Sequence, residues 1–544
     1  MVALDNAGIG DQLERFAALL DLSGASYYSV RAYRRAAELL RSTPASVSEL
    51  VASGRVRELR GIGPAIEARL RELVETGRIA ELDELENAVK PELVGFGRLI
   101  GLSPTRVVAV ADALGVTTPA EFREAAGAGR LKDAPGIGPV GEAKILTALE
   151  RERPAPRRGL LLNRAWALSE SISDELGGVT AGDPRRYCDV SYHLAVAVEA
   201  ERSGPVLDRF AQLPQIVTVL EREGDSAVGV TVDGVPVEVV VAPRRRFGTA
   251  LIRATGSETY VSSLGPLPDA PTEDGVYRAL RRPYVPPELR EAVGPGDDAV
   301  PKLVERGDVR GDLHVHTTWS DGKASVLEMG RAARDLGYDY IAICDHTTSV
   351  RVVPGLDAEG LRRQGEEIEQ ANGALAPFRV LRGTECDILH DGSLDLPDDI
   401  LGELEWVQAS VHAGQRQSRA QLTLRMTEAA RHPAVRSISH PQGRIIQHRP
   451  PNAVDLERLF EVCIETGTAV ETNGLPDRID LSAELVRDAL AAGVLITAST
   501  DAHSVRGLEN MRLAVGTARR GRARASDVLN TRPLAEVLAR SGGG

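Results

Sequence analysis

The histidines of this 544-residue chain are concentrated towards its C-terminal end, and nine of the ten lie beyond residue 310. Six of them, together with three carboxylates, stand at or just past the ends of short apolar runs typical of β-strands. In the first run, Leu-His-Val-His, the two imidazoles are two residues apart and therefore lie on one face of the strand. The strand-end residues are His314, His316, Asp321, His346, Glu385, His412, His440, Asp501 and His503.

The same segment alternates strand-like and helix-like runs. Seven β–α units within about 230 residues predict a barrel of parallel strands. Functional groups in such barrels gather at the carboxyl ends of the strands, where the nine residues fall. The strand-like runs are 312–316, 338–344, 378–384, 406–411, 435–439, 468–472 and 494–500, and helices are predicted at 325–336, 357–373, 418–431, 453–466 and 482–491.

Imidazole and carboxylate groups together suit Zn²⁺, Mn²⁺ or Fe²⁺. Nine ligands are too many for one ion, so we expect two or three divalent metals. Such a cluster lowers the pKa of a bridging water, giving a metal-bound hydroxide as the attacking group, and clamps phosphoryl oxygens during in-line displacement. His390, His432 and His448 stand outside the pattern and are expected at the surface, although His448 could also line the substrate path.

Length and composition limit the class of protein. A chain of 544 residues is too long for one hydrophobic core, so three or four domains are expected. The net charge of −13 argues against a generally basic nucleic-acid coat but allows local basic faces. No membrane span or secretory signal is predicted, and the four cysteines are scattered. We therefore expect a cytoplasmic protein without a membrane partner, and we expect a monomer.

The N-terminal part is predicted to be helical, with two similar Gly-Ile-Gly turns. The first glycines of the two turns, Gly61 and Gly136, are 75 residues apart. Each turn exposes backbone N–H groups at a helix N-terminus, which can hold a DNA phosphate without net positive charge. Two such turns favour helix-hairpin-helix DNA binding. The predicted contacts are Gly61, Ile62, Gly63, Gly136, Ile137 and Gly138.

The motifs of the last segment resemble the PHP (polymerase and histidinol phosphatase) family over residues 311–544. They read, in order, His-x-His, Ser-Asp-Gly, Asp-His, Gly-Thr-Glu, Ser-Val-His, Ser-His-Pro and Asp-Ala-His. The resemblance implies a distorted seven-stranded barrel with a trinuclear Mn or Zn centre. It implies three ligand groups: His314, His316, Glu385 and Asp501; Glu385, His412 and His440; and Asp321, His346 and His503.

The order of segments along nearly the whole chain is similar to that of bacterial family X DNA polymerases. Two helix-hairpin-helix segments precede Thr255-Gly-Ser257 and then the PHP motifs. The resemblance implies a multidomain protein with α-helical helix-hairpin-helix N-terminal domains, an α+β nucleotidyltransferase-like palm and a C-terminal α/β distorted (βα)7 PHP barrel. It also implies a role in repair of gapped or damaged duplex DNA and its 3′ ends. The implied domains are 1–89 (lyase-like), 90–155 (fingers-like), 156–255 (palm), 256–295 (thumb-like) and 310–544 (PHP).

The palm departs from that family where nucleotidyl transfer needs metal ligands. Two Mg²⁺ ions require three acids, two of which come from an Asp-x-Asp motif. The matching stretch reads Asp189-Val-Ser191, and the third acid aligns with Glu238, which is one methylene longer than aspartate. Asp183 replaces the serine of a Gly-Ser motif and would repel a triphosphate. We therefore predict a degenerate polymerase site, without Mg²⁺ or polymerase activity.

The lyase-like domain departs in a similar way. A Schiff base with a 5′-deoxyribose phosphate requires an amine that can lose its proton, which means a lysine. The position expected to carry it, on the helix after the first Gly-Ile-Gly turn, is Arg69, and no lysine precedes Lys90. A guanidinium cannot substitute, so lysine-dependent lyase activity is predicted to be lost.

Four functions remain open on sequence alone. The favoured one is a DNA-processing metallophosphoesterase, acting as a 3′–5′ exonuclease, an abasic-site endonuclease or both, with the other domains gripping DNA. The second is a polymerase that tolerates Ser191 and Glu238. The third is a small-molecule phosphatase of the histidinol-phosphatase kind, and the fourth is a repair scaffold without activity. The complete ligand set argues against the fourth, and the DNA-binding turns argue against the third.

Overall fold

The computed structural model describes residues 6–539, except 24, 43–45, 60, 89–101, 103, 135–136, 150–158, 292–299 and 351–352. Gly136, Lys90 and the predicted domain boundaries at 89–90, 155–156 and 295 lie outside the described residues. The chain divides into two compact units. The first comprises residues 1–160, 164–185 and 190–281, and the second comprises 161–163, 186–189 and 282–544.

The first unit begins with a helical region whose core is made by apolar faces at helical spacing. Leu13, Phe16, Ile66 and Leu70 are each at most 5% exposed. Several of these helices begin with proline, whose missing N–H costs nothing at the first helical position. The helices are Asn6–Leu22, Tyr27–Ser42, Val47–Ala52, Pro64–Thr76, Ala80–Ala88, Pro104–Leu114, Pro119–Gly127 and Pro139–Leu149.

The two Gly-Ile-Gly turns have the same local architecture where they are described. Each follows a short 3₁₀ helix, Val56–Glu58 or Leu131–Asp133, and precedes a helix that begins with proline. The central residues Ile62 and Ile137 are both 6% exposed and pack into the helical core. Gly61 has a φ of 114°, a conformation that favours glycine.

The rest of the first unit contains a five-stranded mixed sheet. Its strands are β2 (Val179–Ala181), β4 (Leu194–Glu199), β5 (Ile216–Glu223), β6 (Ser226–Thr231) and β7 (Pro236–Ala242), in the order β2-β4-β7-β6-β5. A separate two-stranded sheet pairs β1 (Leu160–Leu161) with β3 (Val190–Ser191). The second half of the edge strand β5 is charged and exposed.

Helices cover this sheet on both faces. Alternate residues of β4 separate the two cores: Leu194 and Val196 pack in one cluster, and Ala195 and Ala197 pack with Leu251 in another. The helices from 162 to 279 are Leu162–Leu176, Gly182–Arg185, Ser203–Ala211, Phe247–Thr255, Glu258–Ser263 and Glu273–Ala279. No helix in the described part of the chain is long and apolar enough to cross a membrane.

The second unit is a nearly closed barrel of seven parallel strands in sequential order, which confirms the predicted (βα)7 architecture. Its strands are buried along most of their length, as parallel strands covered by helices must be. The strands are β8 (Gly311–Val315), β9 (Tyr340–Ile343), β10 (Arg379–Asp387), β11 (Trp406–Ser410), β12 (Val435–Ile438), β13 (Ala469–Asn473) and β14 (Ile496–Ser499).

Four of the barrel helices begin at side-chain caps that follow the loops at the carboxyl ends of the strands. Ser325 forms a capping box with Glu328, and Asp357 and Asp455 cap two further helices through their carboxylates. The helices are Val326–Asp335, Ala358–Leu375, Asp398–Gly402, Arg419–Arg431, Leu456–Thr466, Ala483–Ala492, Met511–Arg520 and Leu534–Leu538.

Candidate metal centre

The barrel brings all nine strand-end residues into one cluster, and Glu385 lies at its middle. Glu385 is on β10 and is 1% exposed. Its two carboxylate oxygens lie within 3.7 Å of ring nitrogens from five imidazoles. Those imidazoles belong to His314, His316, His346, His412 and His440.

One side of the cluster joins the first and last strands of the barrel. The Nε2 atoms of His314 and His316 face each other at 3.1 Å. His316 Nε2 is also 3.1 Å from Asp501 Oδ1, and His314 Nε2 is 3.5 Å from Glu385 Oε2. These four residues are the ones that the family resemblance groups around one metal.

The other two groups lie on either side of Glu385. Its Oε1 is 2.8 Å from His440 Nε2 and 3.4 Å from His412 Nε2. Asp321 is 3.2 Å from His503 Nε2 through Oδ2 and 3.7 Å from His346 Nε2 through Oδ1. His346 also turns its Nδ1 to within 2.9 Å of Glu385 Oε2, so it connects the two groups.

The cluster has the donor chemistry of a metal site. Three sets of side chains have ligand atoms within 4.8 Å of one another: His316, Asp321, His346 and His503; His314, His316 and Asp501; and His346, Glu385 and His412. The Nδ1 atom of His316 is buried and has no hydrogen-bond partner among the described residues. Buried polar atoms are normally satisfied, so a buried nitrogen without a partner fits a site that holds cations.

Electrostatics in the cluster are set by burial and by carboxylate–imidazole contacts. Burial alone would lower the pKa of His412, but Glu385 and Asp387 raise it to about 9. Burial would raise the pKa of Glu385, but the surrounding imidazoles hold it well below its usual range. Burial lowers the pKa of His316 to about 4, with the neighbouring imidazoles adding to the effect. The Glu385 carboxyl group is therefore ionised at neutral pH.

Two residues of the cluster have backbones in the left-handed region. His440 has a φ of 25° and Asp501 has a φ of 53°. Non-glycine residues seldom adopt such conformations, and they cluster at functional sites because the surrounding structure must enforce them. In these conformations the side chain of His440 approaches Glu385, and that of Asp501 approaches His316.

A second set of buried carboxylates, which the sequence analysis missed, anchors the loops that carry the cluster. Asp312 accepts the N–H of Thr500, next to Asp501, at 3.2 Å. Asp387 accepts the N–H of His412 at 2.9 Å. Each lies on a strand and is at most 2% exposed. Their sequence signal is a charged residue inside an otherwise apolar strand, which is rare unless the charge is paired.

Asp345 anchors the loop before Asp321 in the same way. Its Oδ1 accepts the Thr317 N–H at 2.8 Å and also the Ser320 hydroxyl. Its Oδ2 accepts the Thr317 hydroxyl at 2.5 Å and the Gln364 amide at 2.7 Å. Because four donors converge on one fully buried carboxylate, the loop has a single arrangement.

The histidines that the sequence placed outside the pattern lie away from the cluster. His390 contacts Gln417 at 3.0 Å and is exposed. His432 pairs with Asp398 at 3.3 Å. His448 is exposed, and its N–H donates to Ile445 O at 2.9 Å.

Comparison with known proteins supplies the family. Residues 4–79 match a helix-hairpin-helix domain and residues 312–508 match the PHP domain. The chain is 32% identical over 561 aligned residues to the DNA polymerase/3′-5′ exonuclease PolX of Bacillus subtilis, with 97% of both chains covered. The chain belongs to the PolX family of DNA polymerases. It is therefore an enzyme whose family combines helix-hairpin-helix and PHP domains.

The barrel of this PolX chain is also similar to proteins without the N-terminal half. A probable phosphatase of Acetivibrio thermocellus is 27% identical, with 35% of this chain and 78% of that protein covered. A probable phosphatase of Caldanaerobacter subterraneus is 30% identical, with 30% of this chain and 61% of that protein covered. Both similarities are confined to about a third of the chain.

The positions that the sequence analysis matched to the three acids of a palm have other contacts in the structure. Asp189 is in the second unit, where its Oδ2 accepts a hydrogen bond from Arg444 Nη2 at 2.6 Å. Ser191 is fully buried, and its hydroxyl has no hydrogen-bond partner among the described residues. Glu238 Oε2 is 3.4 Å from His193 Nε2. Asp183 accepts the N–H of His193 at 3.0 Å, which gives its carboxylate a local structural role.

Arg69 occupies the predicted lysine position of the lyase-like domain. It lies on the helix Pro64–Thr76 and pairs with Glu72 at 3.2 Å and with Glu81. Its guanidinium also lies over the ring of Phe16 at 5.8 Å from the centroid. These contacts give the Arg69 guanidinium a packing role.

Proposed function

We propose that this PolX protein hydrolyses phosphodiester bonds of DNA in its PHP barrel, as a 3′–5′ exonuclease, an abasic-site endonuclease or both. The observation that carries the proposal is the cluster of Glu385 with eight other histidine and carboxylate side chains, in a chain that also matches a helix-hairpin-helix domain. The substrate would be gapped or damaged duplex DNA in the cytoplasm, and the role would be repair.

Two or three divalent ions, Mn²⁺ or Zn²⁺ and alternatively Fe²⁺, would occupy the centre. His314, His316, Glu385 and Asp501 would hold the first; Glu385, His412 and His440 the second; and Asp321, His346 and His503 the third. When bound, the metals would supply Lewis acidity to phosphoryl oxygens and to water. The protein would contribute the buried anchors that fix the ligand loops and the barrel walls that limit access of solvent.

Free cations at the carboxyl end of the barrel support a polyanionic substrate. Lys323 follows Asp321 by two residues, Arg416 follows His412 by four, and Arg506 follows His503 by three. All three are exposed, and none has an ion pair among the described residues. They could therefore contact DNA phosphates next to the metal centre. The helix-hairpin-helix turns at Gly61–Gly63 and Gly136–Gly138 would hold the DNA backbone elsewhere.

We further propose that the polymerase activity of the palm is lost and that the Mg²⁺ site no longer forms. The ion pair of Asp189 with Arg444 supports this, because it uses a carboxylate that would otherwise bind a metal. Ser191 supplies no charge, and Glu238 is longer than the aspartate it replaces. The ion pairs of Arg69 support the parallel loss of lysine-dependent lyase activity.

The test uses a 5′-labelled gapped duplex with Mn²⁺, with and without dNTPs. We expect primer shortening by the wild-type protein and none by the double variant His314→Ala, His316→Ala. The matched control is the double variant His390→Ala, His432→Ala, which removes two imidazoles outside the cluster and should cleave like the wild type. Cleavage that survives in the first variant would reject the PHP barrel as the nuclease.

The same experiment addresses the two alternatives. The name of the Bacillus subtilis relative favours an active polymerase, and extension by the exonuclease-inactive variant in the presence of dNTPs would establish it here. The similarity of the barrel to probable phosphatases favours a phosphomonoesterase. Hydrolysis of a small phosphate monoester, without cleavage of DNA, would support that function and reject the nuclease.

A further inference from the structure

Glu471, on β13, is a fully buried carboxylate outside the predicted ligand set. Its Oε1 is 2.7 Å from His314 Nδ1 and accepts a hydrogen bond from Gln408 Nε2 at 2.8 Å. The amide of Gln408 cannot turn round, because its oxygen accepts the indole N–H of Trp406 at 3.1 Å. Gln408 therefore presents only hydrogen atoms to Glu471 Oε1 and to His314 Nδ1, which is 2.9 Å from the same amide nitrogen. A proton on His314 Nδ1 would be directed to Glu471 Oε1.

The second oxygen of Glu471 accepts from another part of the centre. It accepts the N–H of His440 at 2.8 Å, the hydroxyl of Ser439 at 3.0 Å and the amide of Asn473 at 3.3 Å. The orientation of Asn473 is also fixed, because its oxygen accepts the Leu475 N–H at 2.7 Å.

Asn473 extends the contact to a third residue of the cluster. The same Nδ2 that faces Glu471 donates to Asp501 Oδ2 at 2.9 Å. Glu471 is thus linked directly to His314 and His440 and, through Asn473, to Asp501. These three residues belong to two different predicted metal groups.

We propose that Glu471 is a positioning residue of the metal centre, which directs the free Nε2 lone pair of His314 towards the metal and fixes the backbone of His440. The proposal rests on the ligand assignment of the proposed function. A carboxylate that accepts the second N–H of a ligating imidazole sets both its tautomer and its orientation, and loss of such a contact typically weakens metal binding about 10–100-fold. Because Glu471 contacts residues of two predicted metal groups, its loss should weaken metal binding at both.

The substitution Glu471→Gln tests this inference with almost no change of shape. A glutamine replaces one oxygen by an NH₂ group, which must face either His314 and Gln408 or His440 and Asn473. Gln408, the His440 N–H and Asn473 are donors at these contacts, and His314 is a donor in the proposed tautomer. Neither orientation of the new amide is then compatible with the present arrangement.

The measurement is a Co²⁺ titration of chelator-treated full-length protein, followed by visible absorption, which reports the coordination geometry. We expect Glu471→Gln to bind Co²⁺ about 10–100-fold more weakly than the wild type, with an altered spectrum. Mn²⁺ content after dialysis should fall in parallel. Wild-type affinity together with a wild-type spectrum would overturn the proposal.

Asp480→Asn is the matched control. Asp480 is also fully buried, and its Oδ1 accepts the Gln442 N–H at 3.0 Å. Its Oδ2 has no hydrogen-bond partner among the described residues. An asparagine can keep the contact to Gln442, so Co²⁺ binding should be unchanged. An equal loss of Co²⁺ affinity in both variants would overturn the proposal, because it would show that replacing any buried carboxyl group in this region has the same effect.

A measurement on the wild-type protein covers the case in which Glu471→Gln does not fold. Histidine-labelled, Zn²⁺-loaded protein is examined by ¹H–¹⁵N NMR, with His314→Gln identifying the signals of His314. We expect a proton on Nδ1 and none on Nε2, and the reverse would refute the proposal. Neither readout depends on DNA cleavage, so failure of the proposed nuclease function would remain a separate result.

Discussion

Asp345 offers the clearest quantitative test of how the barrel holds its loops. Asp345→Ala removes the acceptor of four hydrogen bonds in a fully buried position. The hydroxyls of Thr317 and Ser320 can rotate towards other acceptors, but the Thr317 N–H and the Gln364 amide lose theirs. A buried donor without an acceptor costs about 1–3 kcal/mol, so the free energy of unfolding of the barrel should fall by about 2–6 kcal/mol.

Asp345→Asn is the control for this prediction. The amide oxygen can accept the Thr317 N–H, and the Thr317 hydroxyl can rotate to accept from the new NH₂ group. Only the contact to Gln364 is lost, which should cost about 1–3 kcal/mol, half of the loss expected for alanine. We also expect Asp345→Ala, but not Asp345→Asn, to lose metal, because the displaced loop carries Asp321.

The assay is urea unfolding of chelator-treated protein, followed by circular dichroism and by tryptophan fluorescence. Trp319 lies in the affected loop, where its backbone N–H donates to the Thr317 hydroxyl at 3.3 Å. With a slope of about 3 kcal/mol per molar urea, Asp345→Ala should lower the midpoint by about 0.7–2 M. Equal midpoints for the alanine and asparagine variants would refute the reasoning.

Three further predictions follow from single positions or from the metals. Glu385→Gln should reduce cleavage of labelled DNA by at least about 100-fold, because it removes the charge of a carboxylate that belongs to two of the predicted ligand groups. Near-normal rates would reject Glu385 as a metal ligand. Removal of metal by a chelator should lower the melting temperature, since free metal at 100 times its dissociation constant stabilises a folded protein by about 2.7 kcal/mol. Scanning calorimetry with and without Mn²⁺ measures this difference, and an unchanged melting temperature would contradict the prediction. Arg69→Lys should change the unfolding free energy by no more than about 1 kcal/mol, because the ion pairs of Arg69 are partly exposed. Borohydride trapping on 5′-deoxyribose phosphate DNA should yield no adduct with the wild type, and an adduct would contradict the loss of lyase activity.

The seven-stranded parallel barrel could be predicted from sequence because its elements are locally encoded. Each strand is a short apolar run, and each amphipathic helix follows a cap such as Ser325 or Asp357. The edge strand β5 could not be recognised, since Glu221-Arg-Glu223 is polar and exposed and pairs only because β6 lies beside it.

The convergence of the nine strand-end residues was also foreseeable, because parallel strands end at one face of a barrel. The buried carboxylates that anchor the loops were not foreseeable. Asp312, Asp345, Asp387 and Glu471 are acids within apolar strands or directly after them. That pattern indicates that the charge is paired, but nothing local indicates its partner. Their partners are up to 188 residues away, as in the contact of Asp312 with Thr500.

The sequence alone therefore determined the family, the barrel and the identity of the strand-end groups, because these depend on residue type and on spacing along the chain. Only the tertiary structure decided which atoms meet: that Glu385 lies among five imidazoles, that Asp189 pairs with Arg444, and that Glu471 faces both His314 and His440. The physical reason is that hydrogen bonds and ion pairs act over about 3–4 Å, a distance set by the packing of distant strands rather than by local sequence.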